Sequence, residues 1–289
     1  MSKNKIKVNN LVNRNNLVYF LFFILVVLLI IGNYLGYFNY VSIDIPIVTY
    51  HDISIGESNG SMQITKERFE EDMNYLKNNN YTPILVQDFI DISKGIIESP
   101  QKPIMITFDD GYISNYELAF PILKETSMKA IISVIAMNIR DDMGNGFDIF
   151  MSWEQCREMY ESGLVDIENH TYNLHNPETG GLIIPDGVNG IGRIKDEHRY
   201  DYYDRVYGDL ELCNKLIEEN VGNKVKYFAH PYGYTEYLAF KIFKELDIEL
   251  AVVSDVGVAN TSNNKLKLKR LGITMEETLE EVLNNYNFY

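Results

Sequence analysis

The feature that most constrains this chain is a repeated pattern: a short apolar run, a cluster of ionisable residues, then an amphipathic stretch. Residues 45–49 run into Tyr50-His51-Asp52, and residues 104–108 into Asp109-Asp110-Gly111. Residues 164–168 run into Asn169-His170-Thr171 and His175, and residues 225–229 into His230-Pro231-Tyr232-Gly233. Runs this short, alternating with helix-length amphipathic segments, predict an α/β protein with a parallel sheet. In such folds the carboxyl ends of the strands build the site. Four of the five histidines fall at those ends, which chance scatter rarely achieves.

Local signals agree with this reading. Thr65 can cap a helix in which Phe69, Met73 and Leu76 share one face. Ser152 and Gln155 form a capping-box pattern for a helix through Tyr160, and Gly163 stops it. Further helices are expected near 116–125, 204–219 and 236–246, with strands at 81–86, 130–135 and 250–254. Residues 176–196, rich in Gly, Pro, Asn and Asp, read as a long loop that shapes a cleft. A hydrophobic content of 46% can fill the core of one domain over residues 44–289.

The N-terminal region differs in kind. Residues 1–16 carry Lys3, Lys5, Lys7 and Arg14 and read as a short cytoplasmic segment, while residues 17–38 form a nearly continuous apolar run. Its 22 residues are enough to span the hydrocarbon of a bilayer. The basic flank predicts a cytoplasmic N-terminus and a single-pass anchor at the cell membrane. Residues 39–43 are then a connector, and the domain that follows is expected to be extracellular. A cleaved signal peptide is the rival reading; no small-x-small site follows the run. Four of the 26 basic residues and none of the 41 acidic ones lie in the first 38 positions, leaving the remainder with a formal charge of −19. Such a surface disfavours nucleic acid. The two cysteines, Cys156 and Cys213, lie in helix-like segments outside any CxxC and read as core residues.

Two adjacent carboxylates at the end of an apolar strand repel each other and lose hydration, a conflict that a bound cation resolves. Gly111 permits the sharp turn that lets Asp109 and Asp110 face one cavity. An ordinary Asp-Asp-Gly turn is the alternative. His170 and His175, five apart, cannot share a helical face, but a loop can fold both onto one ion. With one carboxylate they make a two-His-one-Asp set with open positions for water.

Taken in order, these motifs resemble the NodB-type polysaccharide deacetylases, carbohydrate esterase family 4. Thr107-Phe108-Asp109-Asp110-Gly111 is similar to the family's first motif, His170-Thr171 with His175 to its second, and Phe228-Ala229-His230-Pro231-Tyr232-Gly233 to its third. The likeness covers roughly residues 44 to 283. It implies a distorted (β/α) barrel of the NodB-homology type with one divalent metal, most often Zn2+, held by Asp110, His170 and His175. Asp109 would be the general base toward a metal-activated water attacking the acetamide. The backbone N–H of Tyr232, with Pro231 beside it, would hold the oxyanion.

Three departures from the family pattern matter. No histidine follows His230, so the late histidine that serves many members as general acid is missing. The second motif is wider than the common i, i+4 spacing, and the third lacks its frequent arginine. The early Tyr50-His51-Asp52 and the wide histidine spacing resemble the branch that deacetylates poly-β-1,6-N-acetylglucosamine, a biofilm exopolysaccharide. By that resemblance His51 is the general acid, with His230 in reserve. Arg270 is a candidate to orient Asp109 in place of the missing arginine, or else a solvated surface residue. The resulting expectation is an N-deacetylase of an extracellular N-acetylglucosamine polymer. Peptidoglycan deacetylation, O-deacetylation on the same fold and a catalytically silent glycan-binding barrel stand as alternatives, and oligomeric state is left open.

Overall fold

The computed structural model describes residues 17–28, 42–58, 60, 62–140, 149–175, 190–194 and 196–286. The chain separates into two compact units between Val41 and Ser42. In the first, residues 17–28 form helix α1, with the side chains of Leu17 to Leu25 exposed. Among the described residues no helix is long and apolar enough to cross a membrane. Residues 1–16, the remaining 29–38 of the expected anchor and most of the connector lie outside the described residues, as does most of the expected loop at 176–196.

The second unit opens with β1 (Asp44–Ile45), β2 (Ile47–Tyr50), β3 (Asp52–Ser54), β4 (Gln63–Thr65), α2 (Lys66–Asn78), β5 (Thr82–Pro83) and α3 (Val86–Ser93). It continues through β6 (Pro103–Phe108), α4 (Phe120–Thr126), β7 (Ala130–Val134), α5 (Trp153–Glu161), β8 (Val165–Asn169) and α6 (Arg199–Val221). β9 (Tyr227–Ala229), α7 (Ala239–Glu245), β10 (Leu250–Val256), β11 (Ala259–Asn260), β12 (Leu268–Gly272) and α8 (Leu279–Asn285) complete it.

Seven strands close into a parallel barrel, in the order β2, β6, β7, β8, β9, β10, β12 and back to β2; β5 hangs on the outer side of β6. Alternation along the strands sorts the core in two. Val48, Ile106, Ile132 and Ile167 join the residues of α2, α4 and α5 in one cluster, whereas Ile47, Met105, Ile131, Tyr227 and Leu250 turn the other way. Phe89 and Ile90 of α3 join this inner cluster and close the barrel at its base.

Most expected elements occur with shifted ends. The strand expected at 81–86 shortens to two residues, because Ile84 onward turns into α3. The helix near 116–125 opens with a π-helical turn at Asn115–Ala119. β12 was not foreseen: charged Lys269 and Arg270 sit inside it, and it nevertheless pairs with both β10 and β2 to close the ring.

Candidate active site

The register of β2 against β6 determines the first part of the site. Tyr50 lies opposite Phe108, so the next residues, His51 and Asp109, emerge side by side, and the Asp109 N–H donates to the Tyr50 carbonyl at 3.1 Å. His51 Nε2 stands 3.9 Å from Asp109 Oδ2. β12 adds the counterion. The Arg270 guanidinium donates to Asp109 Oδ1 at 2.9 Å and lies 2.8 Å from Oδ2, a bidentate pair, while its Nε donates to the Val253 carbonyl at 3.2 Å. Arg270 is therefore a buried partner of Asp109, not solvated surface. Burial alone would raise the Asp109 pKa, but Arg270 outweighs it, helped by His170 and His51, and holds the carboxyl well below the usual range.

Asp110 (φ 74°) and Gly111 (φ 80°) are both left-handed, a conformation that Asp tolerates better than most residues. A Cβ on Gly111 would lie 3.0 Å from Val134 Cγ1, so the turn fits glycine closely. The turn carries Asp110 into the same cavity as Asp109. There Asp110 Oδ1 lies 3.4 Å from His170 Nε2 and 3.6 Å from His175 Nε2. His170 Nδ1 faces the Ala229 carbonyl at 2.8 Å, so it carries the proton and leaves the Nε2 lone pair turned to the cluster. Burial disfavours a charge on His170, but Asp109 and Asp110 outweigh it and raise its pKa; burial and the neighbouring His170 pull His175 down to about 4.

The ligand atoms of Asp110, His170 and His175 lie within 4.8 Å of one another. Asp110 Oδ1 is buried without a hydrogen-bond partner, a costly state that a cation at this point would relieve. Two imidazole nitrogens and one carboxylate fit a divalent ion.

The third motif packs across from this cluster. His230 is fully buried, with Nδ1 3.0 Å from the Tyr234 carbonyl and Nε2 3.4 Å from that of Leu266. Burial pulls its pKa down to about 3. Both nitrogens thus face backbone acceptors. Pro231–Gly233 form a 3-10 turn in which Tyr232 takes φ 56°. The Tyr232 ring stacks on His175 at 4.5 Å, and its hydroxyl donates to the His175 carbonyl at 2.9 Å. A Cβ on Gly233 would meet Ser254 at 2.5 Å, so this turn is pressed onto β10.

A cleft of about 650 Å³ opens over these groups. Its far wall comes from Thr274, Glu276, Glu277 and the α8 residues Val282 and Asn285, none of which stood out in the sequence. Tyr112 was also missed, although it follows Gly111 directly; it lines the cleft and stacks on Phe150. Burial and the nearby Asp110 push its hydroxyl up to about 12. Asn115, in the π-turn, donates to the His51 carbonyl at 2.8 Å. Cys156 and Cys213 are both buried. His198 caps α6, and Trp153 is buried at the start of α5, both away from the cleft lining.

The chain is similar to several known proteins. Residues 97–251 match the family model described as polysaccharide deacetylase. Poly-beta-1,6-N-acetyl-D-glucosamine N-deacetylase of Escherichia coli K12 is 26% identical over 218 residues, 70% of this chain and 32% of that protein. The chain thus spans about a third of that relative's length. The enzyme of the same name from Staphylococcus aureus strain MSSA476 is 21% identical over 224 residues, 78% of this chain and 72% of the relative. Among solved structures, a de-N-acetylase from Aggregatibacter actinomycetemcomitans superposes with a TM-score of 0.70 at 23% identity, over 84% of this chain and 99% of its own. The Streptococcus pyogenes deacetylase PplD, solved with acetate, gives 0.69 at 22% identity, over 84% and 97%. At these identities the two structures speak for the fold. The matched family segment holds Asp109, Asp110, His170, His175 and the third motif, while His51 and Arg270 lie outside it and reach the site through barrel closure. With the family model matched over more than half of its length, the chain belongs to the polysaccharide deacetylase family.

Proposed function

We propose that this protein removes acetyl groups from an extracellular N-acetylglucosamine polymer, poly-β-1,6-N-acetylglucosamine by preference. The observation that carries the reading is the buried, Arg270-clamped Asp109 beside the Asp110, His170 and His175 cluster. A glycan-binding barrel has use for neither an ionised buried base nor three convergent ligands. The relatives from E. coli and S. aureus support the choice of polymer by their names.

Asp110, His170 and His175 would hold a divalent ion, zinc in our reading. When bound, such an ion polarises the acetamide carbonyl and acidifies water. The rest falls to the chain's own groups. Asp109, kept anionic by Arg270, accepts the proton of the attacking water. The Tyr232 backbone N–H stabilises the charge that develops on the carbonyl oxygen. As the C–N bond breaks, His51 in its protonated form donates to the leaving nitrogen, and acetate and a free amine result. Burial makes His51 readier to give up that proton, while Asp109 and Asp110 help it to bind one. His51 suits this part because it lines the cleft with its Nε2 3.9 Å from Asp109 Oδ2, whereas His230 is fully buried with both ring nitrogens turned to backbone carbonyls. The run 17–38 is proposed as the anchor that holds the catalytic unit outside the cell membrane.

The test is amine release from β-1,6-linked N-acetylglucosamine oligomers and from peptidoglycan fragments, by protein stripped of metal and reloaded with zinc. Zinc-dependent release from the oligomers, lost in Asp109→Asn and His51→Ala, is the expected result. Release from peptidoglycan alone would move the substrate to the cell wall. Tight zinc binding with no release from either would favour a binding protein. For the anchor, the catalytic unit of intact cells should be cut by added protease and should stay with the membrane fraction; release into the medium would indicate cleavage.

A further inference from the structure

His175 is delivered by an irregular five-residue step from His170, and its placement needs an explanation. Thr171 is left-handed (φ 78°), so the loop leaves β8 abruptly. Its next three backbone N–H groups are all taken by side chains. Asn169 Oδ1 accepts from Thr171 N at 2.6 Å. Asp209 of α6 accepts from Tyr172 N through Oδ1 at 2.8 Å and from Asn173 N through Oδ2 at 2.9 Å. Asn169 is itself tied to α6, donating from Nδ2 to the Leu210 carbonyl at 3.1 Å and to Asn214 Oδ1 at 2.6 Å. Leu174 is buried among Val206 and Leu210 of α6. The segment between the two histidines is therefore shaped by α6, and Asp209 is its two-point clamp.

We propose that Asp209 is a positioning residue that sets His175 for metal binding, so that α6 controls the affinity of the Asp110, His170 and His175 site. This rests on the metal reading above. A carboxylate spends both oxygens on consecutive N–H groups, and among the described residues no other side chain holds Tyr172 N or Asn173 N. Without it the two N–H groups turn to water and the loop loses its fixed register, while His170 stays pinned through Ala229. Partners one step removed from a metal typically change affinity by about 10–100-fold.

The test uses the full chain in detergent, stripped of metal, with zinc affinity read by chelator competition and the ligand set read by the visible spectrum of the cobalt-loaded protein. Asp209→Ala should bind zinc about 10–100-fold more weakly and shift the cobalt spectrum toward that of His175→Ala. Asp209→Asn keeps one acceptor and should fall between it and the parent. Asp204→Ala, on the exposed face of the same helix, is the control and should bind as the parent does. Parent-like affinity and spectrum in Asp209→Ala would overturn the proposal, as would an equal loss in Asp204→Ala. Should Asp209→Ala lack the parent's circular dichroism, Asp209→Asn decides alone: weaker binding with a native fold supports the clamp, and unchanged binding removes it. A parent that binds zinc but releases no amine would sink the deacetylase reading and leave this one standing; a parent that binds no metal would sink both.

Discussion

Asp109 and Glu168 are both almost fully buried carboxylates on the same barrel, and their pKa values are pushed in opposite directions. Asp109 meets a guanidinium on both oxygens, which holds its pKa well below the ordinary range against the effect of burial. Among the described residues Glu168 meets neutral donors: the N–H groups of Lys226 and Tyr227 at 3.0 and 2.9 Å, and the Asn223 amide at 3.4 Å. Burial dominates there, nearby Asp166 adds to it, and the pKa rises well above normal. Desolvation is common to both. What separates them is a formal positive charge within contact, because amide dipoles offset burial only in part. At the cleft a guanidinium favours the ionised carboxylate, while on β8 neutral donors leave burial to favour the protonated acid.

That contrast can be broken at several points. The largest effect is expected from Asp109→Asn, which removes the proton acceptor: turnover of the zinc-loaded enzyme should fall about 10³-fold, with zinc affinity nearly unchanged. Equal losses in affinity and rate would make Asp109 a metal ligand instead. Arg270→Met should come next. It strands a buried carboxylate, so it should cost about 3–5 kcal/mol in denaturant unfolding, and activity should appear only at higher pH, as Asp109 regains an elevated pKa. Arg270→Lys should recover part of both, since it restores the charge without the bidentate geometry; failure to outperform Met would argue against the ion pair.

Asp166, near the start of β8, sharpens the other half of the comparison. Burial raises its pKa to about 6, while the Val86 N–H at 3.2 Å offsets this only partly. A carboxyl that binds its proton more tightly when folded favours the native state at low pH. That benefit is full below about pH 4 and is lost as pH rises through about 6. Asp166→Asn should therefore stabilise the protein at pH 7 by about 1–3 kcal/mol, with the gain vanishing near pH 4. A gain that persists at pH 4 would point to packing instead of charge. The smallest effect is expected from Glu168→Gln, which replaces an already neutral acid: less than about 1 kcal/mol near pH 6. A loss of several kcal/mol there would mean that Glu168 is ionised after all.

How much of this was legible in the sequence depends on whether the determinant was local. The strand-end clusters were, because a run of β-prone residues followed by Asp-Asp-Gly or His-Pro-Tyr-Gly carries its turn with it. Residue type and order pointed to His170 and His175 with one carboxylate, and the family resemblance named Asp110 as that carboxylate. Arg270 could be named as a candidate but not assigned, since β12 alternates Leu268, Lys269 and Arg270 and reads like surface until the ring closes around it. The clamp of Asp209 was invisible for a related reason. An aspartate on a helix gives no sign of which backbone it faces, and its partners lie 36 and 37 residues away. The left-handed Asp110, Thr171 and Tyr232 likewise adopt angles that their side chains do not announce. His230 read as a possible acid because its surroundings, two carbonyls from separate loops, come together only in the fold.

The ring closure has a consequence in time. Asp109 waits for a counterion 161 residues further along the chain. As the polypeptide emerges, β6 and its two aspartates are complete long before β12 exists. Until residue 270 arrives, Asp109 lacks its guanidinium partner and His51 and His170 offset its charge only in part, so the ionised base gains its bidentate counterion when β12 closes the barrel. Late closure of this kind makes assembly slow, as contacts distant in sequence do generally. It also makes Arg270 a completion signal: the residue that zips the last strand between β10 and β2 is the one that arms the first motif.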